Sequence, residues 1–294
     1  MSDRIKKHME IKEFDMRSFK RNKNPAIVII AKRGSGKSFI CRDILNYLRD
    51  IPVGIIISRT EDEDPFYSTF FPDSYIYSEF KHEIIERLIY RQSEMKEKKK
   101  RYKKLGKKID TRAFIIMDDC LADKKDWAND PNMKRLLYNG RHLDITYILT
   151  MQYPLGITPD LRTNFDYVFL LADDNYTNQE KMFKHYAGVF HKFQAFQEIY
   201  NQLTQNFGCL VLCNRGARYD FFDKVFWYKA KEIIPPKICC EQFLTFHEKN
   251  YDENWRKRKK DFDVETYIKS RGKEPLKVEK GSKDGKTKKR KTSL

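Results

Sequence analysis

Long apolar segments are missing from this chain of 294 residues. The longest uninterrupted apolar runs have about five or six residues, whereas a membrane-spanning helix needs about 20. We therefore expect no membrane span. Residues 1–14 mix Lys, Glu, Asp and Arg and also lack an apolar stretch, so we expect no secretory signal peptide and a protein that stays inside a cell or a particle assembled there.

Paired cysteines are missing as well. The six cysteines are too sparse for a disulfide framework, and none of them forms a CxxC pair. Cys209 and Cys213 are four residues apart, and Cys239, Cys240 and His247 lie farther along the chain. These residues leave a zinc site open, although structural zinc usually shows CxxC-type spacing. A reduced compartment fits this cysteine usage.

Positive charge is in excess, but it is confined to two segments. Lys and Arg number 59 against 42 Asp and Glu, a net charge of +17. Residues 94–108 carry +7 and residues 256–294 carry +10, so the rest of the chain is balanced. This distribution is typical of a surface that binds a polyanion such as nucleic acid. The alternative is a solvated helix face together with a soluble tail.

Five short runs of apolar and β-branched residues predict buried strands. They lack the polar alternation of strands with one solvated face, which favours parallel strands covered on both faces. The runs are Ala26–Ile30, Val53–Ile57, Ala113–Met117, Ile145–Met151 and Tyr167–Leu171.

Helical patterns lie between these strands. Apolar residues in 80–89 recur at helical spacing, and this helix is expected to continue into the basic segment 94–108. A second stripe lies in 40–48, and a third helix is expected to begin at Pro131. Alternating strands and helices predict an α/β fold with an open sheet.

A β-hairpin is predicted farther along the chain. Residues 209–214 and 218–225 have strand character and are separated by an Asn-Arg-Gly turn. From Gly272 onward, the chain lacks apolar periodicity and is rich in Lys, Gly and Ser, so this part is expected to be disordered.

The residues after the first strand form a phosphate-binding loop. They match a Walker A pattern between a strand and a helix: Ala31-Lys32-Arg33-Gly34-Ser35-Gly36-Lys37-Ser38. The glycines let backbone N–H groups point at the β-phosphate, Lys37 reaches the β- and γ-phosphates, and the Ser38 hydroxyl binds Mg²⁺. Ala31 stands where the pattern has its first glycine, a position that mainly ends the strand. The loop indicates a site for ATP and Mg²⁺.

A pair of carboxylates follows the third predicted strand. Phe114-Ile115-Ile116-Met117 leads directly into Asp118 and Asp119, as in a Walker B motif. Asp118 is expected to hold Mg²⁺ through its water shell. Asp119 stands where NTPases place the acid that orients and deprotonates the attacking water. Capping of the next loop is the alternative for Asp119.

Three more candidates flank the fourth predicted strand. Gln152 follows its carboxyl end, where ligands bind in such sheets, and an amide there suits sensing of the γ-phosphate or holding of the lytic water. Arg141 precedes the strand and Arg162 follows it. Each is a candidate arginine finger, which neutralises charge on the transferred phosphoryl group and in ring ATPases comes from the neighbouring subunit. Surface ion pairing is the alternative for both.

These motifs divide the chain into three predicted parts. An N-terminal extension covers 1–24, a P-loop ATPase domain with the basic helical arm 94–108 covers 25–255, and a basic, mostly disordered tail covers 256–294. The predicted fold class is an α/β P-loop NTPase. Helices flank a mostly parallel central sheet, and a C-terminal β-hairpin extends it.

The combination of motifs resembles the genome-packaging ATPases of large nucleocytoplasmic DNA viruses, which belong to the FtsK–HerA superfamily. The resemblance covers residues 20–225 and is carried by the phosphate loop, the twin acids, Asn139-Gly140-Arg141-His142 and Thr150-Met151-Gln152. It implies a ring-forming, usually hexameric ATPase that drives viral DNA into a preformed capsid. The roles of Arg141 as arginine finger and Gln152 as sensor are carried over from that family.

The resemblance also implies partners and a location. ATP hydrolysis to ADP and phosphate would drive translocation of double-stranded DNA without sequence preference, in a homo-oligomer that is expected to be a hexameric ring. A capsid vertex or portal-like component is the expected viral partner. The expected location is the host cytoplasm in a viral factory, the nucleus, or the virion; Lys286–Lys291 weakly matches a nuclear-import signal.

Two other classes of protein stay open. A P-loop small-molecule kinase acting on nucleosides or nucleotides explains Lys37 and Ser38, but it explains neither the twin acids and Gln152 nor the two basic segments. A noncatalytic DNA-binding protein with a degenerate nucleotide site is the third class, and the intact motifs argue against it.

Overall fold

A sheet of eight strands forms the centre of the molecule. The computed structural model describes residues 9–21, 23–120, 127–217, 220–233 and 235–253. The strands are β1 Ala26–Ile30, β2 Val53–Ser58, β3 Ile76–Tyr77, β4 Ala113–Asp118, β5 Ile145–Met151, β6 Tyr167–Leu171, β7 Gly208–Cys213 and β8 Val225–Lys229.

Helices connect most of these strands. They are α1 Ser18–Arg21, α2 Lys37–Tyr47, α3 His82–Lys104, α4 Pro131–Asn139, α5 Pro159–Arg162, α6 Tyr176–Tyr186, α7 Phe193–Leu203 and α8 Glu241–Asn250. Among the described residues, no helix has the length and hydropathy that a bilayer crossing requires.

The sheet is mostly parallel, and this confirms the predicted fold class. Its strand order is β3-β2-β4-β5-β1-β6-β7-β8. Strands β1 to β6 pair in parallel, whereas β7 and β8 pair antiparallel. The carboxyl ends of β1, β4, β5 and β6 therefore meet at one end of the sheet, which we call the carboxyl end; the opposite end is the amino end.

All five predicted strands are present with nearly the predicted bounds. Every residue of β1, β4, β5 and β6 is buried, because the two faces of the sheet pack against separate apolar cores. In β1, Val28 and Ile30 face one core, while Ile27 and Ile29 face the other. Buried residues of α3, α4, α6 and α7 cover the first face, and those of α1 and α2 cover the second.

The predicted hairpin has a different second strand. The antiparallel pairing of β7 with β8 is present, but β8 begins at Val225, where the strand predicted over 218–225 was expected to end. Residues Phe221–Asp223 instead form a 3₁₀ turn. The Asp220 side chain caps this turn by accepting a hydrogen bond from the Phe222 N–H at 2.7 Å. This capping turn delays the strand. Residues 218 and 219 lie outside the described part.

The predicted helix over 80–89 begins two residues late and then continues into the basic arm as expected, ending at Lys104.

The N-terminal segment packs on the sheet: Phe14, Met16 and Phe19 are buried in the second core, and the Phe14 N–H donates to the Trp227 carbonyl at 2.8 Å. The described residues belong to one compact unit. The basic tail predicted over 256–294 lies outside the described residues.

Candidate nucleotide site

The phosphate loop lies at the carboxyl end of the sheet, between β1 and α2. Gly34 and Gly36 have positive φ angles of 77° and 98°, a conformation that glycine adopts without strain. Gly36 is the N-cap of α2, and no side chain caps this helix end. The Ser35 hydroxyl donates to the Lys32 carbonyl at 2.6 Å and closes the loop. The first N–H groups of α2 are therefore left for an anion.

Ala31, the departure from the Walker A pattern, continues the strand pairing. Its N–H donates to the Met151 carbonyl at 2.9 Å, and the residue is fully buried. The residue thus ends the strand, and the curled part of the loop begins after it.

Lys37 lies between the two acids of the predicted Walker B motif. Its Nζ is 2.7 Å from Asp119 Oδ2 and 3.2 Å from Asp118 Oδ1, and the side chain is only 14% exposed. Burial by itself would lower the pKa of Lys37, but the adjacent charges of Asp118 and Asp119 outweigh it and raise that pKa. The ammonium is therefore charged at neutral pH and stays so to a higher pH than in an exposed lysine.

Asp118 is held by two hydroxyl groups. Thr150 Oγ1 donates to Oδ1 at 2.5 Å and Tyr67 Oη donates to Oδ2 at 2.9 Å. Burial raises the pKa of Tyr67, which keeps the phenol protonated as a donor. The loop that carries Tyr67 is anchored in turn by Glu61, whose buried carboxylate accepts the backbone N–H groups of residues 66–68.

Asp119 has an unusual backbone conformation and a crowded carboxylate. Its φ angle is 57°, a region that non-glycine residues seldom adopt. Its N–H donates to Thr150 Oγ1 at 3.1 Å, and its Oδ2 accepts Gln152 Nε2 at 2.5 Å in addition to Lys37. Because Thr150 thus donates to one acid and accepts from the next, it fixes both.

An open cavity of about 550 Å³ adjoins this cluster. The cavity is lined by basic, acidic and amide side chains: Lys32, Arg33, Gln152, Asp173, Asp174, Asn175 and Asn178. Lys32 Nζ is paired with Asp174 Oδ1 at 2.5 Å. Asp173 is buried and accepts from Asn175 N and Asn178 Nδ2, both at 2.9 Å. Gln152, which donates to the Asp119 carboxylate, connects the cavity to the cluster, and the cavity offers room for a ligand of several charged groups.

The donor atoms present suit Mg²⁺. Ser38 lies half-buried in the first turn of α2 and supplies a hydroxyl oxygen. Asp118 supplies carboxylate oxygens. Mg²⁺ prefers such hard oxygen ligands and keeps part of its water shell when one or two protein groups bind it.

Arg141 lies at the amino end of the sheet. Its Nη2 is paired with Asp166 Oδ1, and the Asp166 carboxylate is fully buried. The other oxygen of Asp166 accepts the N–H of Ala26, the first residue of β1, at 2.9 Å. Since the phosphate loop follows the last residue of β1 and a strand rises about 3.3 Å per residue, roughly 15 Å separate Arg141 from the loop of its own chain.

Arg162 is bound within its own connection. Its Nε and Nη2 donate to the Ile157 carbonyl at 3.1 Å and 2.9 Å, and its guanidinium carbon is 5.9 Å from the centre of the Tyr186 ring. Neither Ile157 nor Tyr186 belongs to the cluster around Lys37.

The structure brings together the phosphate loop, Lys37, both acids and Gln152, and it leaves Arg141 and Arg162 outside this group. Sequence reasoning missed Tyr67 and gave no role to Thr150, although Thr150 stands in one of the motifs that carry the resemblance. Thr150 offered a signal, because a polar residue in an otherwise apolar buried strand needs a hydrogen-bond partner. Tyr67 offered none, since it lies in a short 3₁₀ turn 51 residues before its partner Asp118.

We expect Thr150→Val to destabilise the protein by about 1–3 kcal/mol, because it removes a donor to Asp118 and the acceptor of the Asp119 N–H. Thr146→Val is the matched control: Thr146 is also fully buried in β5, but its hydroxyl oxygen has no hydrogen-bond partner among the described residues. That variant should be neutral or stabilising. Denaturant unfolding measures both, and equal losses would contradict this role of Thr150.

Viral proteins are similar to this chain over most of its length. The family model described as Poxvirus A32 protein matches residues 11–191. Protein L437 of Acanthamoeba polyphaga mimivirus is 42% identical over 250 residues, which are 84% of this chain and 88% of L437. Protein 075L of Invertebrate iridescent virus 6 is 33% identical over 235 residues, which are 79% of this chain and 88% of 075L.

Among solved structures, the pCW3 conjugation coupling protein TcpA, in its monomer form with ATPγS, has a similar fold. Its TM-score is 0.50 at 15% identity, over 81% of this chain and 66% of TcpA. The match of the family model and the identity to the two viral relatives carry the assignment, which agrees with the resemblance read from the motifs. The chain belongs to the poxvirus A32 protein family.

Proposed function

We propose that this protein is an ATPase that translocates double-stranded DNA and packages viral genomes into capsids. The observation that carries the proposal is the position of Lys37 between Asp118 and Asp119, with Gln152 on the same carboxylate, beside an uncapped phosphate loop. Membership of the poxvirus A32 family supports the packaging role.

The charges of the cluster suggest how the site works on ATP. Lys37 would exchange its two carboxylate partners for the β- and γ-phosphates, whose charge is larger. Asp119 would then be free to accept a proton from the attacking water, while Gln152 orients that water. Mg²⁺, held by Ser38 and Asp118, would neutralise charge on the phosphate oxygens.

The basic arm 94–108 is the proposed DNA contact within the described residues. Its lysines and arginines are mostly exposed on the second half of α3 and beyond its end. Lys99 is paired with Asp144 at 2.9 Å, next to the start of β5, so the arm lies toward the amino end of the sheet. Contacts from such side chains to phosphates give affinity without reading the bases.

Assembly and location complete the proposal. A homo-oligomeric ring, with six subunits as its expected form, would let Arg141 or Arg162 of one subunit reach the site of the next. A capsid vertex or portal-like component would be the viral partner. Such a motor would work in the host cytoplasm at the viral factory, in the nucleus, or with the virion.

The full chain should hydrolyse ATP, and double-stranded DNA should stimulate the turnover severalfold regardless of sequence. Turnover is measured as phosphate release with and without DNA. Lys37→Ala should abolish hydrolysis in both conditions, because it removes the cation that reaches the phosphates. Phosphate transfer to a nucleoside in place of water would favour the kinase alternative, and full activity of Lys37→Ala would refute the phosphate site.

Asp119→Asn should still bind ATP but should slow hydrolysis about 10²–10⁴-fold, because the amide accepts no proton from the attacking water. Nucleotide titration and single-turnover hydrolysis separate the two effects. Asp50→Asn is the control, since it changes only a surface ion pair with Arg112. Loss of ATP binding by folded Asp119→Asn protein would contradict the catalytic role.

Arg141→Ala subunits should inhibit ATP hydrolysis by wild-type subunits in mixed assemblies, since a trans arginine finger acts on the neighbour's site. Hydrolysis is measured across mixing ratios and should fall more steeply than the wild-type fraction. Activity strictly proportional to that fraction would remove the finger role from Arg141. The same series with Arg162→Ala then tests the second candidate.

A further inference from the structure

An aromatic side chain lies against the phosphate loop but takes no part in the cores. Phe207 is in the turn between α7 and β7, and the residue is 64% exposed. A Cβ placed on Gly36 would be 3.5 Å from Phe207 Cδ1 and 3.8 Å from Phe207 Cβ, so the ring lies beside Gly36, on the side where another residue would carry its side chain. The ring therefore borders the last glycine of the phosphate loop and otherwise faces solvent.

The backbone that presents this ring is strained. Asn206 and Phe207 have φ angles of 51° and 63°, and a bulky residue in this region is an outlier. The next residue must be glycine, because a Cβ on Gly208 would be 2.2 Å from the Leu203 carbonyl oxygen. A strained backbone that holds an apolar ring in solvent gains nothing from packing, which points to a ligand.

The turn is firmly anchored. The Thr204 N–H and hydroxyl both donate to the Tyr200 carbonyl, at 3.0 Å and 2.8 Å. The Tyr200 hydroxyl donates to the carbonyl of Leu171, the last residue of β6. The position of Phe207 at the carboxyl end of the sheet is thus set by hydrogen bonds to a core strand.

The strand order puts Phe207 on the side away from the acids. Asp119 and Gln152 follow β4 and β5, on one side of β1, whereas Phe207 precedes β7, beyond β6 on the other side. A nucleoside triphosphate whose terminal phosphate lies at Lys37 and Asp119 has its nucleoside at the opposite end. If that end extends past Gly36 toward β6, it would reach Phe207.

We propose that Phe207 is the platform on which the base of the bound nucleoside triphosphate stacks. This inference rests on the proposed nucleotide site. A phenylalanine ring offers a π face and no hydrogen bond, so it would favour a nucleotide over a bare polyphosphate while distinguishing poorly between adenine and guanine.

The test compares ATP with inorganic tripolyphosphate, each titrated calorimetrically into the full chain with Mg²⁺. Phe207→Ala should weaken ATP binding roughly tenfold, as expected for loss of one base–aromatic stack, and should leave tripolyphosphate binding unchanged. Phe207→Trp should retain the affinity for ATP. Phe246→Ala is the matched control, because Phe246 is 59% exposed on α8, and it should change neither ligand's binding.

Phe207→Gly separates binding from folding. Glycine relieves the positive φ angle, so its melting temperature should equal or exceed that of the wild type while ATP binding falls as in Phe207→Ala. Equal weakening of ATP and tripolyphosphate would show that Phe207 only shapes the loop, and unchanged ATP binding would show that it contacts no base. Either result overturns the inference and leaves the phosphate site standing, whereas wild-type protein that binds neither ligand removes both.

Discussion

One lysine shared by two carboxylates is the interaction on which the candidate site depends. Asp118 is 4% exposed and Asp119 lies beside it, so the pair would repel if no cation lay between them. Lys37 supplies that cation at Asp118 Oδ1, where the Thr150 hydroxyl also donates, and the Tyr67 hydroxyl donates to Oδ2. The register of β4 against β5, the left-handed backbone of Asp119 and the Glu61 anchor all maintain this cluster.

The same cluster leaves the site ready for an anion. Lys37 is charged and is held in place by partners that a phosphate group can replace. Replacement does not leave Asp118 without donors, since Tyr67 and Thr150 still bind it. The acid that loses most is Asp119, whose remaining side-chain donor is Gln152. The exchange of partners at Lys37 thus acts on the carboxylate that is proposed to accept the proton of the attacking water.

The sequence was informative where local pattern determines structure. Parallel strands buried on both faces need unbroken apolar runs, so β1, β5 and β6 have the predicted bounds, and the Walker motifs follow strands whose carboxyl ends meet. The predicted beginning of β8 was wrong because a 3₁₀ turn competes with strand pairing in this aromatic segment. Tyr67 and Asp166 escaped prediction because their partners are distant in sequence and come together only in the folded chain.

The ion pair at the amino end bears on whether Arg141 is able to act elsewhere. Loss of the only cation beside a buried carboxylate strongly destabilises a folded protein. Asp166, however, also accepts the Ala26 N–H and has Arg215 Nη1 at 3.6 Å from its second oxygen. Asp166 would therefore keep a donor and a nearby cation if Arg141 turned away. The Arg141 side chain is half-exposed, so breaking its ion pair with Asp166 would leave the amino end of the sheet stable. A role for Arg141 at a neighbouring subunit is therefore compatible with the stability of this chain.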